Sequence, residues 1–374
     1  MKRTFWIDVL RILLTLGVIS AHGKYCYNYE PLTSMWYQYV IIGNLTSCCV
    51  PIFIMLSGAL ILNDECSVDK RFVGRTFKII KLLILQFAVC LLAAVVEVRI
   101  NKGGYSLKEA LNEWGNYAFG RNYFWILLGC YLCAPLLREI IKKKSLLYYF
   151  LILGAVFGLV VPVFVDLEYV ETIPILFNLM KNLDNSEVFI PVGASYLFVT
   201  GYFTDNILGK RIMAKGKLAK VYVIAICLLW LFVWEFIGCY STYISEFGGF
   251  TKRNALIGIL RYGRHYGTYV GSVLTMYSMS VMLVFKVFLE NVKINKMLNE
   301  VVSNIAKKCT YIFMIHGLII SIFRPRILHL FINVPIISVL LDTIIYFGLA
   351  WAVVSLCHII KGVMIKRKNS EYLG

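Results

Sequence analysis

Apolar runs of about twenty residues recur along the whole chain, and that repetition leaves very few folds open to it. They fall near residues 5–22, 37–62, 77–96, 122–137, 146–165, 188–204, 219–238, 266–289, 310–332 and 335–360. Each is close to the roughly 20 residues that cross hydrocarbon as a helix. Lipid offers no hydrogen bonds, so a spanning segment must satisfy its own backbone, and a helix does so internally. The expected fold is all-α: a polytopic transmembrane helical bundle of about ten spans, forming a single integral-membrane domain over residues 1–374. Composition agrees, with 59% hydrophobic and 16% charged residues and a mean hydropathy of +0.73, above that of ordinary soluble domains. No Pro-, Gly- or Ser-rich linker divides the sequence.

Ten spans put both termini on one side, and the basic residues say which. With the N- and C-termini cytoplasmic, 25 of the 38 Lys and Arg fall on the inner side and 12 on the outer, Arg11 lying within the first span. That bias follows the positive-inside rule. It also accounts for the net charge of +17 through attraction to an anionic leaflet, with no nucleic acid as partner. Asp166, Glu168, Glu171, Asp184 and Glu187 make one outer loop acidic, whereas Lys252, Arg253, Arg261, Arg264 and His265 make another basic. Most of the eleven cysteines sit in apolar runs, as small hydrophobes do. Cys130 and Cys133 form a CxxC with no second pair to complete a metal site, so no metal is expected.

The first span, FWIDVLRILLTLGVISAH, holds Asp8, Arg11 and His22. Asp8 and Arg11 interrupt the apolar core that a cleaved signal peptide needs, so the segment is expected to remain in the mature protein. A charge at the centre of a membrane helix costs roughly 3 kcal/mol or more, so such groups face a cavity, a partner or a substrate path. Arg11 and His22 are eleven residues apart and share a face, separated along the axis by roughly 16 Å. Asp8 lies one turn before Arg11, placed to form an ion pair with it.

Two further segments stand out. KRFVGRTFKIIK opens the third span with Lys70, Arg71, Arg75, Lys78 and Lys81. At helical spacing Arg71, Arg75 and Lys78 share a face, which either sets topology or grips phosphates. In VPIFIMLSGALIL the pair Ser57-Gly58 interrupts an apolar run. A small pair permits close helix approach, and the Ser57 hydroxyl also suits a tunnel lining. Asn44, Thr46 and Ser47 occupy the outer half of that span and are candidates to line the same path near His22.

Taken together, these segments resemble the acyltransferase 3 family, polytopic bacterial proteins that O-acylate cell-surface glycans. Arg11 and His22 match its Arg-x(10)-His signature, VPIFIMLSGALIL its second span, and KRFVGRTFKIIK the basic start of its third. RNYFWILLGCYLCAPLLREI, YLFVTGYFTDN and CTYIFMIHGLII are similar to later family segments in the same order, with His316 at a matching His. Two positions depart from the pattern: Asn122-Tyr123 replaces the usual His before the fourth span, and Arg75-Thr-Phe-Lys78 replaces Arg-x-x-Arg.

The resemblance implies acetyl-CoA, or another short acyl-CoA, as cytoplasmic donor substrate, and a surface or lipid-linked glycan hydroxyl as acceptor. It implies His22 as general base, helped by Arg11 and Asp8, and Arg71, Arg75 and Lys78 on the CoA phosphates. Ser57, Asn44, Trp125 and His316 are the expected lining residues, and the bacterial cytoplasmic membrane the expected location. The alternative from another class is an exporter that uses Asp8, Arg11 and His22 as a polar or proton pathway.

Overall fold

The computed structural model describes residues 4–23, 30, 32–63, 70–101, 106–119, 123–161, 175, 193–247, 272–327 and 334–371. Every regular element among them is helical. In chain order they are α1 (Phe5–Gly23), α2 (Ser34–Ser47), α3 (Cys49–Leu62), α4 (Lys70–Asn101), α5 (Leu107–Phe119), α6 (Tyr123–Lys142) and α7 (Lys144–Ala155). There follow α8 (Ala194–Tyr202), α9 (Lys210–Met213), α10 (Lys217–Phe247), α11 (Ser272–Leu289), α12 (Lys296–Ile327) and α13 (Pro335–Glu371). A π-helical turn continues α7 over Val156–Val160, and another joins α8 to α9 over Phe203–Gly209.

Seven helical segments are long and apolar enough to cross a membrane: α1, α2 with α3, α4, α6, α10, α12 and α13. Apolar side chains on their outer faces are left for lipid, among them Leu136, Phe232 and Phe236. The expected spans 146–165, 188–204 and 266–289 meet α7, α8 and α11, each of which ends or begins near residues outside the described set. Among the described residues seven segments qualify by length and composition, and α7 and α11 are shorter apolar helices. The acidic and basic outer loops named above lie outside the described residues.

Two features went beyond the hydropathy pattern. The connection expected between 97 and 121 contains α5, whose Ala110 and Ala118 are buried and whose Leu107 and Leu111 are exposed. Trp114 on α5 donates its indole N–H to the Phe87 carbonyl of α4 at 3.0 Å. Meanwhile α12 begins at Lys296, well before the apolar run near 310.

α1 lies at the centre, packing against α2, α3, α11, α12 and α13. Its buried side includes Trp6, Leu10, Leu14, Val18 and Ile19. The tightest crossing joins α3 to α8. A Cβ built on Gly58 would lie 1.8 Å from the Phe198 carbonyl oxygen, and one on Gly201 would lie 2.0 Å from that of Met55. The two backbones thus touch through reciprocal glycines, which explains why Ser57 is followed by Gly58.

The far end of α3 is closed by polar groups rather than by water. Buried Arg138 donates from Nε and Nη2 to the Ile61 carbonyl, at 3.3 and 2.8 Å, and Asn206 donates to that of Ala59 at 3.0 Å. A cation and an amide at a helix C-terminus satisfy carbonyls that have no partner within the helix. Nearby, Lys286 of α11 is buried in an ion pair with Asp205 of the π-turn, lies 3.4 Å from Glu290, and sits over the Trp6 ring at 5.5 Å.

Replacing Gly201 by Ala forces a methyl group into the Met55 backbone, which no rotamer change relieves. The expected loss is about 3 kcal/mol, the upper end for overpacking. Unfolding of the detergent-solubilised protein in SDS or by heat checks it: an unshifted transition in Gly201→Ala would contradict the crossing described.

Candidate active site

Arg11 and His22 leave α1 on the same face but do not open into the same space. Arg11 borders a cavity of about 390 Å³ that also receives Arg75 and Lys78 from α4, Lys307 from α12, Ser57 from α3 and Tyr131 from α6. Among the described lining residues there are four cations and no carboxylate. Like charges gathered in a low-dielectric cleft make an anion site. Lys78, Lys307 and Thr310 are exposed, so the cavity opens at that end.

His22 borders a second cavity, also of about 390 Å³, with His316, Gln86, Glu97, Tyr117 and Ser321. The rings of His22 and His316 are 5.0 Å apart between centroids. His316 Nδ1 contacts the Phe313 carbonyl oxygen. A carbonyl only accepts, so Nδ1 carries the proton and Nε2 remains an acceptor. His22 itself is exposed.

Tyr123 of α6 and Phe313 of α12 border both cavities and form the wall between them. Their centroids are 5.2 Å apart, and Phe53 of α3 closes the cluster at 6.0 Å from Tyr123 and 5.8 Å from Phe313. Phe124 adds an edge contact to Phe313 at 5.9 Å. Such tilted pairs each contribute roughly 0.5–1.5 kcal/mol beyond burial. The wall is apolar apart from the Tyr123 hydroxyl.

Several expected site residues are brought together and others are not. Arg11, Arg75, Lys78 and Ser57 meet at the cationic cavity, and His22 meets His316 at the other. Arg71 lies in the first turn of α4, its side chain outside the described residues. The expected Asp8–Arg11 ion pair is not formed among the described residues. Three residues along a helix is a turn of about 300°, which sends Asp8 into the packed side of α1. It is 3% exposed and borders neither cavity. Asp8 and Arg11 still act electrostatically on one neighbour, Cys309 of α12.

Asn44 and Trp125 also border neither cavity. Asn44 is fully buried against α10: a Cβ on Gly238 would lie 2.4 Å from its Nδ2, and Trp234 donates to its carbonyl at 3.2 Å. Trp125 turns outward and donates to the Ala118 carbonyl of α5 at 3.3 Å. Lys307, Gln86 and Phe313 were not singled out in the sequence. Lys307 follows an exposed helical turn and reads as a topological charge until α12 is seen to start at Lys296.

A family model described as an acyltransferase domain, of the acyltransferase 3 type, matches residues 4–360. The chain belongs to the acyltransferase 3 family. With seven apolar helices able to span a bilayer, this acyltransferase is a multi-pass membrane protein. No curated protein and no solved structure matched the chain. Among the described residues of this family member, no group of three or more His, Cys, Asp and Glu side chains is arranged to hold a metal.

The cationic cavity predicts anion binding before any reaction is considered. Pyrophosphate at about a hundred times its Kd stabilises a folded protein by about 2.7 kcal/mol. The thermal transition of the solubilised protein is expected to rise with pyrophosphate, and the rise to vanish in Arg75→Ala/Lys307→Ala. An equal rise in that variant would place the anion elsewhere.

Proposed function

We propose that this acyltransferase moves a short acyl group, acetyl foremost, from acyl-CoA at the cytoplasmic face to a hydroxyl of a surface glycan or its lipid-linked precursor. The bacterial cytoplasmic membrane is the setting. One observation carries the reading: two cavities strung along α1 abut at one aromatic wall, with cations around the first and two imidazoles in the second. The Lys and Arg bias orients the cationic end inward.

Arg75 suits a bidentate grip on a phosphate, while Lys78 and Lys307 serve as point charges at the mouth. A cavity of about 390 Å³ accommodates the slender acyl-pantetheine arm, leaving the nucleotide at that exposed mouth. Arg11, at the inner side of the wall, steadies the donor and offsets developing negative charge.

His22 takes the proton of the attacking hydroxyl. Its ordinary pKa lies near neutrality, and positioned proton transfer typically contributes about 10² to 10⁴ in rate. His316, ring against ring with it, is the neighbour that orients the base. The exporter reading is not carried forward, because Asp8 borders neither cavity.

The test compares His22→Ala with wild type in native-like purified form and in cells lacking the wild-type gene. Acyl-CoA hydrolysis and the alkali-labile acyl content of envelope glycans are expected to fall by about 10² or more, with acyl-CoA binding retained. Transfer at the normal rate would remove His22 from the chemistry. Arg75→Ala/Lys78→Ala is expected to raise the acyl-CoA KM by about tenfold, the effect of losing roughly 1.4 kcal/mol of binding.

A further inference from the structure

Tyr123 is the phenol at the seam of the two cavities. Its ring stands against Phe313 at an interplanar angle of 63°, and the Ser57 side chain lies beside its hydroxyl. Ser57 commits its own hydroxyl proton to the Phe53 carbonyl at 2.9 Å, which leaves its oxygen as an acceptor. Ser57 and Arg11 line the cationic cavity together with Tyr123. The two imidazoles lie across the ring in the other cavity.

Acyl transfer needs this opposition. A nucleophile approaches a carbonyl carbon from one side, and the negative charge appears on the oxygen, where a positioned donor is worth most in a water-poor site. We propose that Tyr123 is a catalytic residue of the reaction proposed above, on which this inference rests: its O–H donates a hydrogen bond to the thioester carbonyl oxygen. The acceptor O–H bond breaks, with its proton passing to His22. The oxygen adds to the carbonyl carbon, and the π pair moves onto the carbonyl oxygen, held by the Tyr123 O–H with Arg11 nearby. On collapse the C–S bond breaks, the carbonyl re-forms, and the CoA thiolate takes up the proton from His22. No other reactant is needed.

Tyr131, the other phenol in the cationic cavity, does not border the imidazole cavity and lacks this position.

Tyr123→Phe in the full-length protein removes the hydroxyl and keeps the ring. With acetyl-CoA as probe, the kcat for hydrolysis and the acylation of envelope glycans in cells are expected to fall about 10²-fold, the usual effect of losing one oxyanion donor. Acetyl-CoA affinity is expected to stay within about twofold and the unfolding temperature to be unchanged, since only transition-state binding is lost. A rate within about threefold of wild type overturns the assignment, as does a rate loss matched by lost affinity or stability, which marks a packing residue. His22→Ala run alongside separates the levels. If it is inactive while Tyr123→Phe is active, only the Tyr123 role falls; if both are active, the proposed reaction falls as well.

Discussion

Hydrocarbon solvates neither charge nor backbone, and each polar group inside this bundle answers to that constraint. Lys286 is held by Asp205 and Glu290, with the Trp6 ring beneath it. Arg138 and Asn206 take up carbonyls at the end of α3. Lys308 reaches Ser355 at 2.8 Å and rests on Trp351. Those groups are matched within the protein, and they act as pins. Arg11, Arg75 and His22 differ in that their side chains also border cavities that water or a ligand can enter. The distinction between pin and site is therefore set by where each charge finds its partner, and charge alone does not reveal it.

This explains what could be read from the chain and what could not. Periodicity along one helix suffices to put Arg11 and His22 on a common face, because a fixed rise and turn decide it. The same rule extended to Asp8 fails, since a 60° offset separates cavity from core in a helix surrounded by five others. Asn44 misleads for a related reason: a polar residue in the outer half of a span suggests a lining, yet the close approach of Gly238 consumes it as packing. The wall itself was hidden because Phe53, Tyr123 and Phe313 come from three distant helices and look like ordinary core in isolation. Gly58 was legible as a close-approach residue, but its counterpart Gly201 required the crossing to be seen.

The departures from the family pattern acquire a local meaning. Where Asn122-Tyr123 stands in place of a His, Tyr123 provides both the aromatic surface that divides the cavities and the only hydroxyl on it. Where Lys78 replaces the second Arg of the basic motif, Lys307 arrives from α12 to the same cavity. Lys78 keeps the charge on α4, and Lys307 adds one from α12.

Helices α1, α4 and α12 are among those that border both cavities: Arg11 and His22 on the first, Arg75 and Gln86 on the second, Lys307 and His316 on the third. Their side chains are spaced by covalent rise, about 1.5 Å per residue, and no sliding of one helix past another can change the interval within any of them. The bundle therefore carries a built-in ruler in triplicate. In the reaction proposed above it sets how long the donor's reactive arm must be to reach from the cations to the imidazoles, a selection by length made before the acyl group is met. A single residue inserted between Arg11 and His22 would lengthen the ruler slightly but turn its end by about 100°, so the interval can change only in whole turns.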